Sequence, residues 1–213
     1  MVRGPFLLLL SLLSGCVVAV TVETPIDEPV DRIEVELDIG DVAVESASGP
    51  VFLKADLGGV GDGELTYEVV DRVLYVNAAC GDLCAGDIEI SAPRRTELAA
   101  RVGIGSIDVV GLGGDLDLSL EAGDIVGEDL GADVATASSA TGAIELHFAS
   151  APLELTAGTD AGDVDLEVPA GSYDLDLTAS RGKVDTQGVS HDPDAAGWIR
   201  AYAKAGSVTV RGK

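Results

Sequence analysis

The strongest constraint on this chain is a short phrase that recurs eleven times. It runs glycine, small or polar residue, branched apolar residue, polar residue, apolar residue. Clear copies are Gly40-Asp41-Val42-Ala43-Val44, Gly105-Ser106-Ile107-Asp108-Val109, Gly142-Ala143-Ile144-Glu145-Leu146, Gly162-Asp163-Val164-Asp165-Leu166 and Gly206-Ser207-Val208-Thr209-Val210. Each reads as a turn feeding a short strand with one apolar face, because glycine relieves the corner and apolar residues alternate with period 2. A unit of this size cannot bury its apolar face alone, so its repetition predicts a stack of units sharing one core.

From Gly105 the phrase begins at positions 105, 123, 142, 162, 182 and 206, in steps of 18, 19, 20, 20 and 24 residues. Weaker copies fall between them at Gly114, Ala132, Ala151 and Gly171. Two phrases in about 20 residues make one coil. The expected fold is therefore all-β, a single-stranded β-solenoid (β-helix) with coils of about 20 residues, stacked in chain order and paired in parallel about 4.8 Å apart. Ile107, Ile125, Ile144, Val164, Val184 and Val208 then form one inward column. Residues 94–213 carry the regular coils, and residues 31–93 form a less regular, antiparallel-leaning N-terminal β cap closing the first edge. In that part Ile33 to Leu37, Val51 to Ala55, Leu65 to Val70, Val73 to Val76 and Ile88 to Ile90 read as strands, with Asp71-Arg72 as a hairpin turn. Residues 195–204 read as a strand or insertion. Trp198 and Tyr202 within it are expected to pack over the open C-terminal end of the core.

The chain opens on Met1-Val2-Arg3-Gly4-Pro5, a leucine-rich run from Phe6, then Leu13-Ser14-Gly15-Cys16. One positive charge, a short apolar run and small residues are the layout of a secretory signal, and the run is shorter than the ~20 residues a spanning helix needs. Leu-Ser-Gly-Cys resembles a bacterial lipobox. The resemblance implies cleavage after residue 15, lipid on Cys16, and residues 16–30, with Pro25 and Pro29, as an extended tether. Export places the other two cysteines, Cys80 and Cys84, in an oxidising compartment, where a small disulfide loop is expected. Neither the spacing nor the surrounding residues complete a zinc or Cys-x-x-Cys redox site.

The net charge is −24, and one unit more negative without Arg3. Such a surface repels phosphate backbones, so no nucleic-acid partner is expected, and membrane attachment falls to the lipid. Acidity and few aromatics would suit a disordered chain. The hydrophobic content of 46%, in alternation, points instead to one folded domain over residues 31–213.

With its opening strands around Gly40-Asp41-Val42, its mid-chain Ile88-Glu89-Ile90-Ser91-Ala92-Pro93, its Gly-x-Val/Ile repeat and its closing Gly206 phrase, the chain resembles a family of bacterial envelope proteins grouped as adhesins of unknown function. The resemblance implies a β-helical fold and a binding or surface-interaction role, lipid-anchored in the cell envelope at the outer membrane or periplasmic face. It implies no catalytic residues and no cofactor. The Cys80–Cys84 pair and the insertion at residues 192–204 depart from the family pattern.

The residues themselves offer little catalytic chemistry. His147 alternates outward with Glu145, and His191 lies in a turn-like Ser190-His191-Asp192-Pro193. No serine sits in a nucleophile elbow, and no glycine phrase has the lysine and helix of a phosphate loop. The carboxylates are the one candidate set. Coils stacked in chain order would place Glu145, Asp165 and Asp185 in a single outward column, each neighbouring pair costing roughly 1 kcal/mol in a water-like dielectric. That column is either a solvated acidic face or, as a hypothesis, a calcium ladder. No enzyme activity is expected. The partner is an envelope protein or a glycan. Two other classes stand beside this: an assembly component joining end to end through terminal coils, and, more weakly, a carbohydrate-active β-helix enzyme.

Overall fold

The computed structural model describes residues 17–60, 64–79 and 84–213. Its strands in chain order are β1 (Val17–Ile26), β2 (Arg32–Ile39), β3 (Val42–Ser46), β4 (Val51–Val60), β5 (Glu64–Val70), β6 (Val73–Ala79) and β7 (Cys84–Ala92). Then follow β8 (Glu97–Ile104), β9 (Ile107–Val110), β10 (Leu116–Ala122), β11 (Ile125–Leu130), β12 (Val134–Thr141), β13 (Ile144–Phe148) and β14 (Glu154–Ala161). The last are β15 (Val164–Val168), β16 (Gly171–Ala179), β17 (Val184–Gln187), β18 (Val189–His191), β19 (Trp198–Ala205) and β20 (Val208–Gly212). The alternating residues that predicted strands are strands, and Asp71 and Arg72, at φ 50° and 69°, make the β5–β6 hairpin turn. Two successive residues with positive φ twist a two-residue loop in the sense that flanking strands require.

The single-stranded β-helix expected from the repeat is not what forms. The strands make two mixed sheets of ten strands each that enclose one core, a sandwich-like repeat fold. One has the order β1-β4-β7-β3-β9-β11-β13-β15-β20-β17, the other β18-β16-β19-β14-β12-β10-β8-β2-β6-β5. The N-terminal strands β1, β4 and β7 pair antiparallel, as do β5 and β6. Only the middle of the chain stacks in sequence order. The pair β2/β3 lies between β6/β7 and β8/β9, and the last pair, β19/β20, lies between β14/β15 and β16/β17.

Side chains explain the displaced last pair. Inward positions of β19 and β20 are Ile199, Ala201, Ala203, Val208 and Val210, all 1% exposed or less. The competing strand β17 offers only Val184 and Thr186, is four residues long and is exposed throughout. A short, polar strand suits a sheet edge and an apolar one suits the interior. The inward column accordingly runs Ile88, Val42, Ile107, Ile125, Ile144, Val164, Val208, Val184. All its members are buried except Val184, which ends the column 45% exposed.

The segment read as a tether is extended but docked. Val17–Ile26 pairs residue for residue with β4 from Val17↔Val60 to Ile26↔Val51, and Ile26 joins the core.

At the corner between the sheets the glycines of the phrase form a continuous spine: Gly86, Gly40, Gly105, Gly123, Gly142, Gly162, Gly206, Gly182. Gly142 shows why. Its φ is +142°, and a β-carbon there would overlap the carbonyl oxygen of Gly123 on the neighbouring turn. No side chain is compatible with both conditions. The next residue adds a second ladder. Asp41, Asp124 and Asp163 each use Oδ1 to accept the backbone N–H of the adjoining turn, from Ser106, Ala143 and Ser207, all at 2.7 Å. From Asp41 to Ser207 aspartates thus alternate with uncharged residues, so no two adjoin in that run, while Asp87 lies next to Asp41 at its start.

Two buried hydroxyls finish the corner from inside. Thr159 donates to the carbonyl of Gly142 at 2.9 Å and Ser139 to that of Gly123 at 3.2 Å. Thr159 is 0% exposed, and Thr159→Val keeps its shape while orphaning its share of that carbonyl's hydrogen bonding. The variant is expected to lose about 1–2 kcal/mol in urea unfolding, with an unchanged m-value.

Candidate functional site

The acidic column of the first sheet is interrupted. Glu145 stands beside Asp165, but Thr209 stands between Asp165 and Asp185, because β20 has entered between β15 and β17. Two carboxylates of β15 are matched to cations. Arg211 holds Asp165 at 2.5 Å, and Lys213 holds Glu167 at 3.0 Å. The Lys213 hydrogen bond keeps the Glu167 carboxyl below its ordinary value. His147 reaches Glu128 with Nδ1 at 3.0 Å and lies 3.2 Å from Glu145 through Nε2, the second contact being misaligned for a hydrogen bond. It points outward with Glu145, as the alternation requires. Among the described residues no group of three or more His, Cys, Asp and Glu side chains is arranged to hold a metal ion.

His191, expected in a turn, ends strand β18 opposite Tyr173, and its Nδ1 accepts the backbone N–H of Leu175 at 3.0 Å. Cys16 and Cys80 lie outside the described residues, as does the whole of residues 1–15. Cys84 opens β7 with its backbone opposite Gly59.

A second group of side chains comes together on the outer face of the other sheet. β19 alternates strictly: Ile199, Ala201 and Ala203 are buried, so Trp198, Arg200, Tyr202 and Lys204 project outward. Neither aromatic covers the C-terminal end of the core, the place expected from sequence, because β19 lies inside the sheet. Pairing sets Trp198 between Glu154 and Asp174, Arg200 between Thr156 and Asp176, and Tyr202 between Gly158 and Thr178. Lys204 binds Asp160 at 2.6 Å, and this hydrogen bond raises the ammonium pKa above its ordinary value. Arg200 binds Asp176 at 3.3 Å while its guanidinium carbon sits 5.3 Å from the centroid of the Trp198 ring, within cation–π range.

Gly158 completes the arrangement. The Tyr202 ring lies where a Gly158 side chain would be, so the ring rests on the bare backbone of β14, and the residue is 37% exposed. Sequence reading missed this seat. Its one signal was a glycine inside the otherwise regular strand Glu154–Ala161, and its partner strand lies out of chain order.

No curated protein matches the chain. Solved structures of similar fold include a candidate cell adhesion protein from Clostridium sporogenes. It has a TM-score of 0.53 at 12% identity, over 92% of this chain and 100% of that one. A candidate adhesin from Bacteroides fragilis superposes with a TM-score of 0.46 at 14% identity, over 92% of this chain and 97% of that one. A candidate lipid-binding protein from Parabacteroides distasonis gives 0.37 at 15% identity, over 92% and 97%. At these identities the likeness to the Clostridium sporogenes structure is one of fold. The family model described as Toastrack DUF4097 matches residues 5–210, nearly the whole chain, and the protein belongs to that family.

Proposed function

We propose that the protein is a non-enzymatic surface-interaction module of the cell envelope, adhesin-like in role. The observation that carries this reading is the display itself. Two ten-stranded sheets hold their outward side chains in fixed rows on hydrogen-bonded strands, and Arg200, Lys204, Arg211 and Lys213 are ion-paired on those open faces. Such a surface is preorganised for contact with a partner, which lowers the entropic cost of binding. The name given to the Clostridium sporogenes structure agrees with this role. The signal-like residues 1–15 and Cys16 support export and a lipid anchor, with the domain displayed from it.

Purified residues 17–213 are expected to bind isolated cell envelopes saturably and to release no soluble product from them. Absence of saturable binding, or turnover of envelope glycan, overturns the proposal. For the anchor, cells fed an alkyne-bearing palmitate are expected to label the full-length protein and not its Cys16→Ser variant; equal labelling of both removes lipidation from the reading.

One observation favours end-to-end assembly as a second reading. At the C-terminal end β17 is wholly exposed, and Leu175 and Leu177 of β16 are only partly covered. Light scattering that rises with protein concentration toward filaments supports it. A constant monomer mass excludes it.

A further inference from the structure

We propose that the outer face of β19 is a binding site for an uncharged oligosaccharide of pyranoses with equatorial hydroxyls, one of whose rings stacks on Tyr202. The site rests on the surface-interaction reading above and specifies its ligand class.

Three features of the face select that chemistry. The Tyr202 ring is seated on the backbone by the missing side chain of Gly158, and the residue stays 37% exposed on an outward sheet face. A pyranose with equatorial hydroxyls carries axial C–H bonds on its faces, and these pack on the electron-rich face of an aromatic ring. Hydroxyl partners for the rim of such a sugar stand alongside. Thr178 is directly opposite Tyr202, and Thr156 and Asp176 flank Arg200 two residues away.

The third feature is charge. Both cations of the strand are already engaged, Arg200 with Asp176 and Lys204 with Asp160. A phosphate or uronate would have to displace those carboxylates while approaching a protein of net charge −24. An uncharged polyol needs neither, and can hydrogen-bond to the paired groups as they stand. The competing explanation is that Tyr202 merely shields the Gly158 backbone. Leucine at position 202 would shield it as well, but offers no aromatic face.

The chain has a single tryptophan, Trp198, on this same strand face, so its emission reports the site directly. Chitohexaose and cellohexaose are the probes, with hexagalacturonate as the charged control. We expect at least one neutral hexamer to change Trp198 emission saturably and hexagalacturonate to bind more weakly. Tyr202→Phe should keep the affinity, and Tyr202→Leu should weaken it about tenfold with little change in melting. Thr178→Val leaves the ring and its seat untouched. It should weaken binding severalfold, and it carries the test if the leucine variant does not fold.

The site is overturned by no saturable response to either neutral hexamer, by a leucine variant that binds as tightly as the native protein, or by preference for hexagalacturonate. Envelope binding that survives Tyr202→Leu would remove this site and leave the surface-interaction role standing. Loss of envelope binding by the native protein would remove that role.

Discussion

Gly142→Ala is expected to lose several kcal/mol of stability and to melt well below the native protein. Gly142 sits in the middle of the glycine spine at φ +142°, and an added methyl would overlap the carbonyl oxygen of Gly123. Holding a non-glycine residue at that angle costs about 1–3 kcal/mol. The overlap adds more, because the carbonyl cannot retreat. Gly123 donates its own N–H to Thr141 at 2.7 Å, and its oxygen accepts from Ser139. Forced overpacking of this kind costs about 1–3 kcal/mol by itself. The sum is a large part of the 5–15 kcal/mol that typically holds a domain together. Gly49→Ala is the control. That glycine also has positive φ, +118°, but nothing lies within 4 Å of its missing β-carbon, so it isolates the angle from the crowding. Circular dichroism melting should show a modest shift for Gly49→Ala and a clearly larger one for Gly142→Ala. Similar melting temperatures for the two would show that the spine is not closely stacked.

Deleting residues 192–213 is expected to release residues 171–191 as well. In a coil stack that followed the chain, removing the last coil would leave its predecessor paired. Here the inner neighbours of β16 and β17 are β19 and β20: Asp174 to Ala179 pair with Trp198 to Ala203, and Val184 to Gln187 pair with Val208 to Arg211. Without them the two strands have no partner on that side, and the apolar edge of β14 and β15 is opened to water. Hydrogen exchange on the truncated protein should show the amides of residues 171–191 opening at a free energy near 0 kcal/mol, like a frayed terminus. Residues 97–148, whose neighbours are intact, should keep measurable protection. Full protection of residues 171–191 after the deletion would mean that β16 and β17 had moved onto β14 and β15. The inserted pair would then be dispensable to the stack.

The same insertion decides what became of the candidate sites. The acidic column Glu145, Asp165, Asp185 assumed that strands follow each other in space as they do in sequence, and Thr209 now divides it. Trp198 and Tyr202 were legible as unusual residues in an aromatic-poor chain, but their place was not. They belong to a strand in the interior of its sheet, and the partner that orients Tyr202 is Gly158, 44 positions earlier in the chain. His147 was placed correctly because its outward direction depends only on alternation along its own strand.

Local chemistry is therefore what this sequence settles by itself. Period-2 alternation determines which side chains of β2, β10, β13 or β15 face the core, glycines at φ near +140° determine where the chain turns, and Asp71-Arg72 determines the hairpin. Those choices act over a few residues and have one low-energy answer. Neighbour order does not. The phrases are nearly interchangeable, and any turn–strand unit can hydrogen-bond to any other in the same register. Which pair lies inside and which at an edge is decided only when all of them compete for the core. The apolar inward set of β19 and β20 wins the interior over Val184 and Thr186 of β17. That competition turns an expected chain-ordered helix into two mixed sheets, splits the acidic column and seats Tyr202 on Gly158.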